Sequence, residues 1–328
     1  MKARLDVIVN LIRSRCSPWH DFASIIKPRF LFLSCVLLLL MIVTGCGRDP
    51  ENAGPRYGSA PAHKNVIKYS LAIHPLHNPA KLIEVYQPLM DYLNARLKGV
   101  CLTLEASRDY GVFEQKYKDR KPDFLLPNPW QTLQAMKKGY HVICMAGDPE
   151  DFKGIIIVRK NSRIQNPMDL KGKAISYPAR TALAACIMPQ YFLYQNGVNV
   201  NRDVENRYVG SQESSIMNVY LGRTVAGATW LPPWRAFQRE HPREAGDLKV
   251  LWETEPLINN SVMVRNDIPT EVQEQIRTLL TGLHETAEGK AILTGLETAC
   301  FIRMEDKNYD VVRAYVSRFE EKVRKVEE

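Results

Sequence analysis

From Val66 to the end of the chain, short apolar runs rich in β-branched residues alternate with longer stretches of helical spacing. That alternation constrains the fold more than any other feature. Val66–Ile73 predicts a strand, followed by a helix carrying Leu82, Tyr86, Leu89, Leu93 and Leu97. Val100–Ala106 predicts a second strand and Tyr110–Tyr117 a short helix. Phe124–Leu126 predicts a third strand, closed by Pro127-Asn128-Pro129; a helix over Trp130–Lys138 and a strand over His141–Ala146 follow. From Gly154 the run Gly-Ile-Ile-Ile-Val predicts a long buried strand leaving this unit. A second unit follows: strand Ala174–Tyr177, helix Ala182–Asn196, strand Glu205–Val209, helix Glu213–Leu221 and strand Val225–Thr229. Lys249–Trp252 reads as a further strand, Ser261–Val264 leads back, and helices near Glu271–Thr281 and Tyr309–Val326 close the chain. Such repetition predicts an α/β fold of two lobes, each a mainly parallel sheet flanked by helices. Ligands of such folds bind beyond the carboxyl ends of strands.

The front of the chain reads differently. Arg13, Arg15, Lys27 and Arg29 precede an uncharged run, Phe30–Val43, which is short for a membrane span. The run ends in Val43-Thr44-Gly45-Cys46, the basic, apolar and small-residue order of an export signal. This ending resembles the bacterial lipobox, which implies cleavage before Cys46 and lipidation there; an uncut signal anchor is the alternative. Residues 47–65, rich in Gly, Pro and Ala, predict a flexible tether. The expected organisation is therefore a signal peptide over 1–45 and a tether over 46–65. A first lobe over 66–154, a second over 155–253, and a return to the first lobe with C-terminal helices over 254–328 complete it.

Net charge is +8, but residues 1–45 hold six of the basic residues and two of the acidic ones. The remaining 38 basic and 34 acidic residues form no basic cluster, so nucleic acid is not an expected partner. Of seven cysteines, Cys101, Cys144, Cys186 and Cys300 follow Cys46. None has CxxC or zinc-type spacing, and no pairing is assigned. The sequence carries no GxGxxG, Walker loop, GxSxG or HExxH, so neither a cofactor nor an enzymatic activity is expected. His74 and His77 sit three apart on a Pro-rich loop without a third ligand at recognisable spacing, and no metal is expected.

Several stretches occur in order. They are Tyr86-Gln87-Pro88-Leu89, Asp109-Tyr110, Pro122-Asp123 with Asn128-Pro129, Asp169-Leu170-Lys171-Gly172-Lys173, Gly210-Ser211, Ala226-Gly227-Ala228-Thr229-Trp230 and Leu251-Trp252. Together they resemble the periplasmic phosphonate/phosphite/phosphate-binding proteins of ABC transporters, which have the type II periplasmic-binding fold. The resemblance covers about residues 66–300. It implies that the ligand sits where the helix near Ala182 opens, on a turn that in those proteins is of Ser-Thr-Ser type. Here Ala182-Leu183-Ala184 stands in that place, Gln212 replaces a usual His, Val225 an acidic residue and Phe152 an aromatic hydroxyl, while Tyr110 is retained.

The candidate ligand-binding residues are Tyr110, Asn128, Phe152, Arg180, Thr181, Ala182, Ser211, Gln212 and Trp230. Arg180 and Thr181 stand just before the helix and could replace the missing hydroxyls; a solvated loop Arg is the plainer reading. Ser211 is equally a helix N-cap, and Trp230 with Trp234 either a stacking wall or core packing. Asn128 and Asn259-Asn260, at strand ends, could reach a ligand or simply shape turns. The expected function is a lipid-anchored, monomeric, extracytoplasmic solute-binding protein of an ABC-type uptake system. Its ligand would be a small anion of the phosphonate, phosphite or phosphate class, and its partner an ABC permease or a membrane sensor. The alternative is a sensing or signalling lipoprotein on the same fold, with a different or lost ligand.

Overall fold

The computed structural model describes residues 66–327. The lipobox, the signal peptide and the tether lie outside these residues. The first lobe is built on strands β1 (Ile67–Ile73), β2 (Val100–Glu105), β3 (Phe124–Leu126), β4 (Tyr140–Ala146), β10 (Ser261–Arg265) and β11 (Phe301–Arg303), in the order β11-β4-β10-β3-β1-β2. The second lobe holds β5 (Gly154–Arg159), β6 (Ala174–Tyr177), β7 (Glu205–Tyr208), β8 (Ala226–Trp230) and β9 (Leu248–Glu253), in the order β7-β6-β8-β5-β9. The chain crosses between sheets twice, after β4 and after β9.

The fold class is the expected one, with a refinement in strand direction. β1 runs parallel to β2 and β3, and β6 parallel to β7 and β8. By contrast β10 lies antiparallel to β3 and β4, β11 antiparallel to β4, and β5 antiparallel to β8 and β9. The sheets are therefore mixed rather than mainly parallel. For β5 and β10 the reason is topological: each enters its lobe at the carboxyl ends of its neighbours, Gly154 beside Trp230 and Ser261 beside Met145, and so runs against them.

β5 shows how one sequence supports packing on both faces. Alternate side chains of a strand point to opposite sides. Ile156 and Val158 join the main core shared with residues 182–188, whereas Ile155 and Ile157 pack with Ile216, Val219, Trp234 and Phe237. These last four come from α5 (Gln212–Tyr220) and α6 (Leu231–Glu240). Three helices absent from the sequence expectations are α6, α7 (Pro242–Gly246) and α9 (Ala287–Gly295), and β11 was likewise unexpected, whereas α8 (Thr270–Thr281) lies where a helix was expected. The remaining helices that position the site are α1 (Pro79–Asn94), α2 (Tyr110–Lys118), α3 (Pro129–Met136), α4 (Met188–Gln195) and α10 (Asp310–Lys322). α4 is preceded without a break by a π-helical turn, Leu183–Ile187.

Gly154 sets how closely this π-turn approaches β5. A Cβ there would collide with the Ala184 carbonyl oxygen and come within 2.8 Å of Pro189 Cδ. Only glycine lets the helix lie so near the strand. Among the described residues, no helix is long and apolar enough to cross a membrane.

Candidate functional site

Strand ends and helix starts from both lobes meet around a small cavity of about 10 Å³, room for about one water molecule. Its wall is formed by His74, Tyr110, Asn128, Phe152, Ala182 to Ala185, Gln212, Trp230 and Asn260. His74 follows β1, Asn128 follows β3, Ala182 follows β6 and Trp230 ends β8, so the cavity lies beyond the carboxyl ends of parallel strands.

Local sequence places the two polar residues that face each other across the lobes. Asp109 caps α2 by accepting the Val112 N–H at 2.9 Å, which makes Tyr110 the first helical residue. Ser211 caps α5 through the Ser214 N–H at 3.1 Å and does the same for Gln212. Gln212 Nε2 then donates to the Tyr110 hydroxyl at 3.0 Å, while Gln212 Oε1 accepts from Thr229 at 2.7 Å. Burial pushes the ionisation of Tyr110 upward, so its hydroxyl stays neutral.

A second set of bonds joins the lobes beside the cavity. The Thr181 hydroxyl donates to Glu114 Oε1 at 2.6 Å, and Gln131 Nε2 donates to the same oxygen at 3.1 Å. Asn128 Nδ2 donates to the Thr181 carbonyl at 3.2 Å. Asn128 also closes a capping box with Gln131 at the head of α3. Glu114 is only 9% exposed, and burial raises the pKa of its carboxyl. Across from it, the π-turn leaves the N–H groups of Leu183, Ala184, Ala185 and Cys186 without an acceptor among the described residues. Three of these four residues line the cavity. Unpaired amides and a positive dipole end favour an anion. The wall itself contributes no Lys or Arg.

Six of the nine candidate residues come together here: Tyr110, Asn128, Phe152, Ala182, Gln212 and Trp230. Phe152 and Trp230 pack against each other with ring centroids 5.3 Å apart. Three stand outside the wall. Thr181 is turned to Glu114, and Ser211 serves as the N-cap of α5. The Arg180 guanidinium lies over the Tyr208 ring at 5.4 Å. Trp234 stacks on Phe237 in the second core cluster.

The wall also includes His74, a residue weighed in the sequence only as a metal ligand. Its Nδ1 contacts the Leu126 carbonyl at 2.8 Å, and burial lowers its pKa to about 4. Among the described residues, no group of three His, Cys, Asp or Glu could hold a metal ion. Glu114 went unnoticed in the sequence, although it stands four residues after Tyr110 and so shares its helical face.

An adjoining chamber of about 30 Å³ shares Trp230 and Asn260 with the cavity and extends past Leu76, Tyr86 and Pro232 to Asp151 and Glu297. Beside it, Arg235 of α6 donates to both oxygens of Asp151 at 3.0 and 3.1 Å and to Glu297 at 2.9 Å. Lys81 of α1 reaches Glu240 at 3.2 Å. α6 is thus tied to the first lobe by ion pairs.

Comparison with known proteins gives a consistent picture of this architecture. A curated relative, the "Probable ABC transporter phosphite binding protein PhnD1" of Prochlorococcus marinus, is 24% identical over 181 residues. The aligned stretch covers 51% of this chain and 61% of that protein. Among solved structures, a binding protein component of an ABC phosphonate transporter from Pseudomonas aeruginosa superposes with a TM-score of 0.73 at 16% identity, covering 78% of this chain and 88% of that one. PhnD1 from Prochlorococcus marinus in complex with methylphosphonate gives 0.70 at 20% identity, covering 78% and 99%. These likenesses establish the type II periplasmic-binding fold. The family model described as "ABC transporter, phosphonate, periplasmic substrate-binding protein" matches residues 71–309, from the first strand to the foot of the last helix, and the chain belongs to that family.

Proposed function

We propose that this chain is the extracytoplasmic binding component of an ABC-type uptake system, taking a small oxyanion of the phosphonate, phosphite or phosphate class between its lobes, which move apart at the cavity to admit it. The observation that carries the reading is the π-turn at Leu183–Ile187, three of whose four residues with unpaired amides line the cavity. They offer an anion what the hydroxyl turn of its relatives offers, without the side chains. The protein binds without chemical turnover and acts as a monomer. Lipidated Cys46 holds it to the membrane, and an ABC permease receives its ligand. Calorimetric titration with phosphite, methylphosphonate and phosphate tests the ligand class; saturable one-to-one binding of at least one is expected. Cys46→Ala should move the protein from the detergent phase to the aqueous phase on phase separation, and unchanged partitioning would exclude the anchor.

A second reading is a sensing or signalling lipoprotein with a different or lost ligand. It is favoured by Glu114, a buried carboxylate beside the cavity, and by polar groups that already satisfy one another across the lobes. A melting temperature raised by none of the three anions at millimolar concentration would select this reading, because a ligand bound only by the folded state must raise it.

A further inference from the structure

The cavity wall offers acceptors as well as donors. His74 Nδ1 faces a carbonyl oxygen, which can only accept, so the ring proton sits on Nδ1 and Nε2 is left with a lone pair. Asn260 is 3% exposed and lines both the cavity and the adjoining chamber. Its Oδ1 is buried with no hydrogen-bond partner among the described residues. A buried carbonyl-type oxygen left unmatched is costly unless a donor is brought to it. On the other side stand the four unpaired N–H groups of Leu183 to Cys186.

A fully ionised oxyanion carries acceptors only. It would satisfy the amides but set its lone pairs against those of Asn260 and His74. It would also bring its full charge to a wall without Lys or Arg, next to Glu114. From this balance we infer that the cleft selects an oxyanion that retains one proton of its own, a singly charged species with a P–OH group, over the dianion of the same compound. Its anionic oxygens take the amides of the π-turn, and its hydroxyl donates to Asn260 Oδ1 or His74 Nε2. The preference presupposes the oxyanion reading above. It separates phosphonates and phosphite from sulfonates and sulfate, which have no proton to donate near neutrality.

The titratable and charged groups around the cavity are His74 and the neighbouring His77, Tyr110 and Glu114 on α2, and Cys186 on the π-turn, behind which stand Arg180 and Arg324, the latter donating to Cys186 Sγ at 3.5 Å. His74 stays neutral because burial holds its pKa at about 4, and Cys186 stays a thiol because burial pushes its pKa to about 11. His77 is held below its usual value by burial, against the pull of Glu240. Glu114 is the group whose ionisation could imitate that of a ligand.

The test is calorimetric titration of the intact protein with phosphite and with methylphosphonate from about pH 5.5 to about pH 9. Above each ligand's second ionisation the affinity should fall about tenfold per pH unit. The midpoint should come at lower pH for phosphite, the stronger acid. Methanesulfonate, singly charged but without a proton, should bind at least about tenfold more weakly than methylphosphonate at pH 6. Asn260→Ala should narrow that gap while leaving the melting temperature near that of the wild type. A flat profile, one midpoint common to both ligands (which would point to Glu114), or equal binding of methanesulfonate overturns the inference alone. Binding of no anion at any pH overturns the oxyanion reading, and the inference with it.

Discussion

Replacing Gly154 by alanine probes the packing on which the site depends. The added Cβ would strike the Ala184 carbonyl oxygen and lie 2.8 Å from Pro189 Cδ. Carbon atoms in contact prefer about 3.5–4.0 Å, so the helix must retreat by about 0.7 Å or more. Overpacking of this kind costs about 1–3 kcal/mol. For a folded body of this size that corresponds to a melting temperature about 2–12 °C lower. The retreat also carries the amides of Leu183 to Cys186 away from the cavity, and losing one hydrogen bond to a charged ligand weakens binding by about tenfold or more. Gly295→Ala is the control, because at the end of α9 a Cβ meets nothing within 4 Å. It should leave stability unchanged or raise it by up to about 1 kcal/mol. Differential scanning fluorimetry and calorimetry with methylphosphonate read both effects. A Gly154→Ala protein melting within about 1 °C of the wild type would refute the close approach. Lower stability with undiminished affinity would refute the placement of the ligand at this helix.

Three further outcomes follow from the contacts around the cleft. Tyr110→Phe, at a residue 4% exposed, removes the acceptor of the Gln212 amide, so denaturant titration should show a loss of about 1–3 kcal/mol. Combined with Gln212→Leu it should reveal a coupling of about 0.5–3 kcal/mol, and strict additivity would argue against the bond. Burial raises the folded-state pKa of Glu114. Its contribution is therefore fully present below the unfolded value of about 4.3 and is lost as pH rises through the folded value. The melting temperature of Glu114→Gln should accordingly gain on the wild type as pH is raised from about 4 towards 7; a constant difference would contradict the buried carboxyl. Arg235→Ala deprives Asp151 and Glu297 of their shared cation, but the Arg235 side chain is 37% exposed. The loss should be at most about 1 kcal/mol and should shrink with added salt, and a salt-independent loss would point to packing instead.

Much of the architecture was legible because local chemistry and burial agree. The run Ile155-Ile156-Ile157-Val158 is apolar on both faces, and both faces of β5 are covered. Asp109, Asn128 and Ser211 signal helix starts and act as caps. Strand direction was not legible, since nothing within β5 or β10 records from which lobe the chain arrives. α6 was missed because Pro232-Pro233 suggests a loop, although proline fits the first turn of a helix. At the site, residues at strand ends could be anticipated from the alternation itself. What escaped were pairings between distant positions, such as Glu114 with Thr181, which carry no local signature. Arg180 was persuasive by charge and position, yet its guanidinium rests on an aromatic face that sequence does not announce.

The middle strand of the first lobe has a bearing on how the protein is made. β10 lies between β3 and β4, yet more than a hundred residues and the whole second sheet separate it in sequence from either. Until Ser261–Arg265 emerges, β4 has no strand to pair with, and the last partner, β11, comes later still. Pairings of such long sequence separation form slowly. A nascent chain synthesised from its amino end therefore cannot finish its first sheet until most of its length exists. Until then β3 and β4 each keep an unpaired edge, so the sheet that begins first is the one completed last.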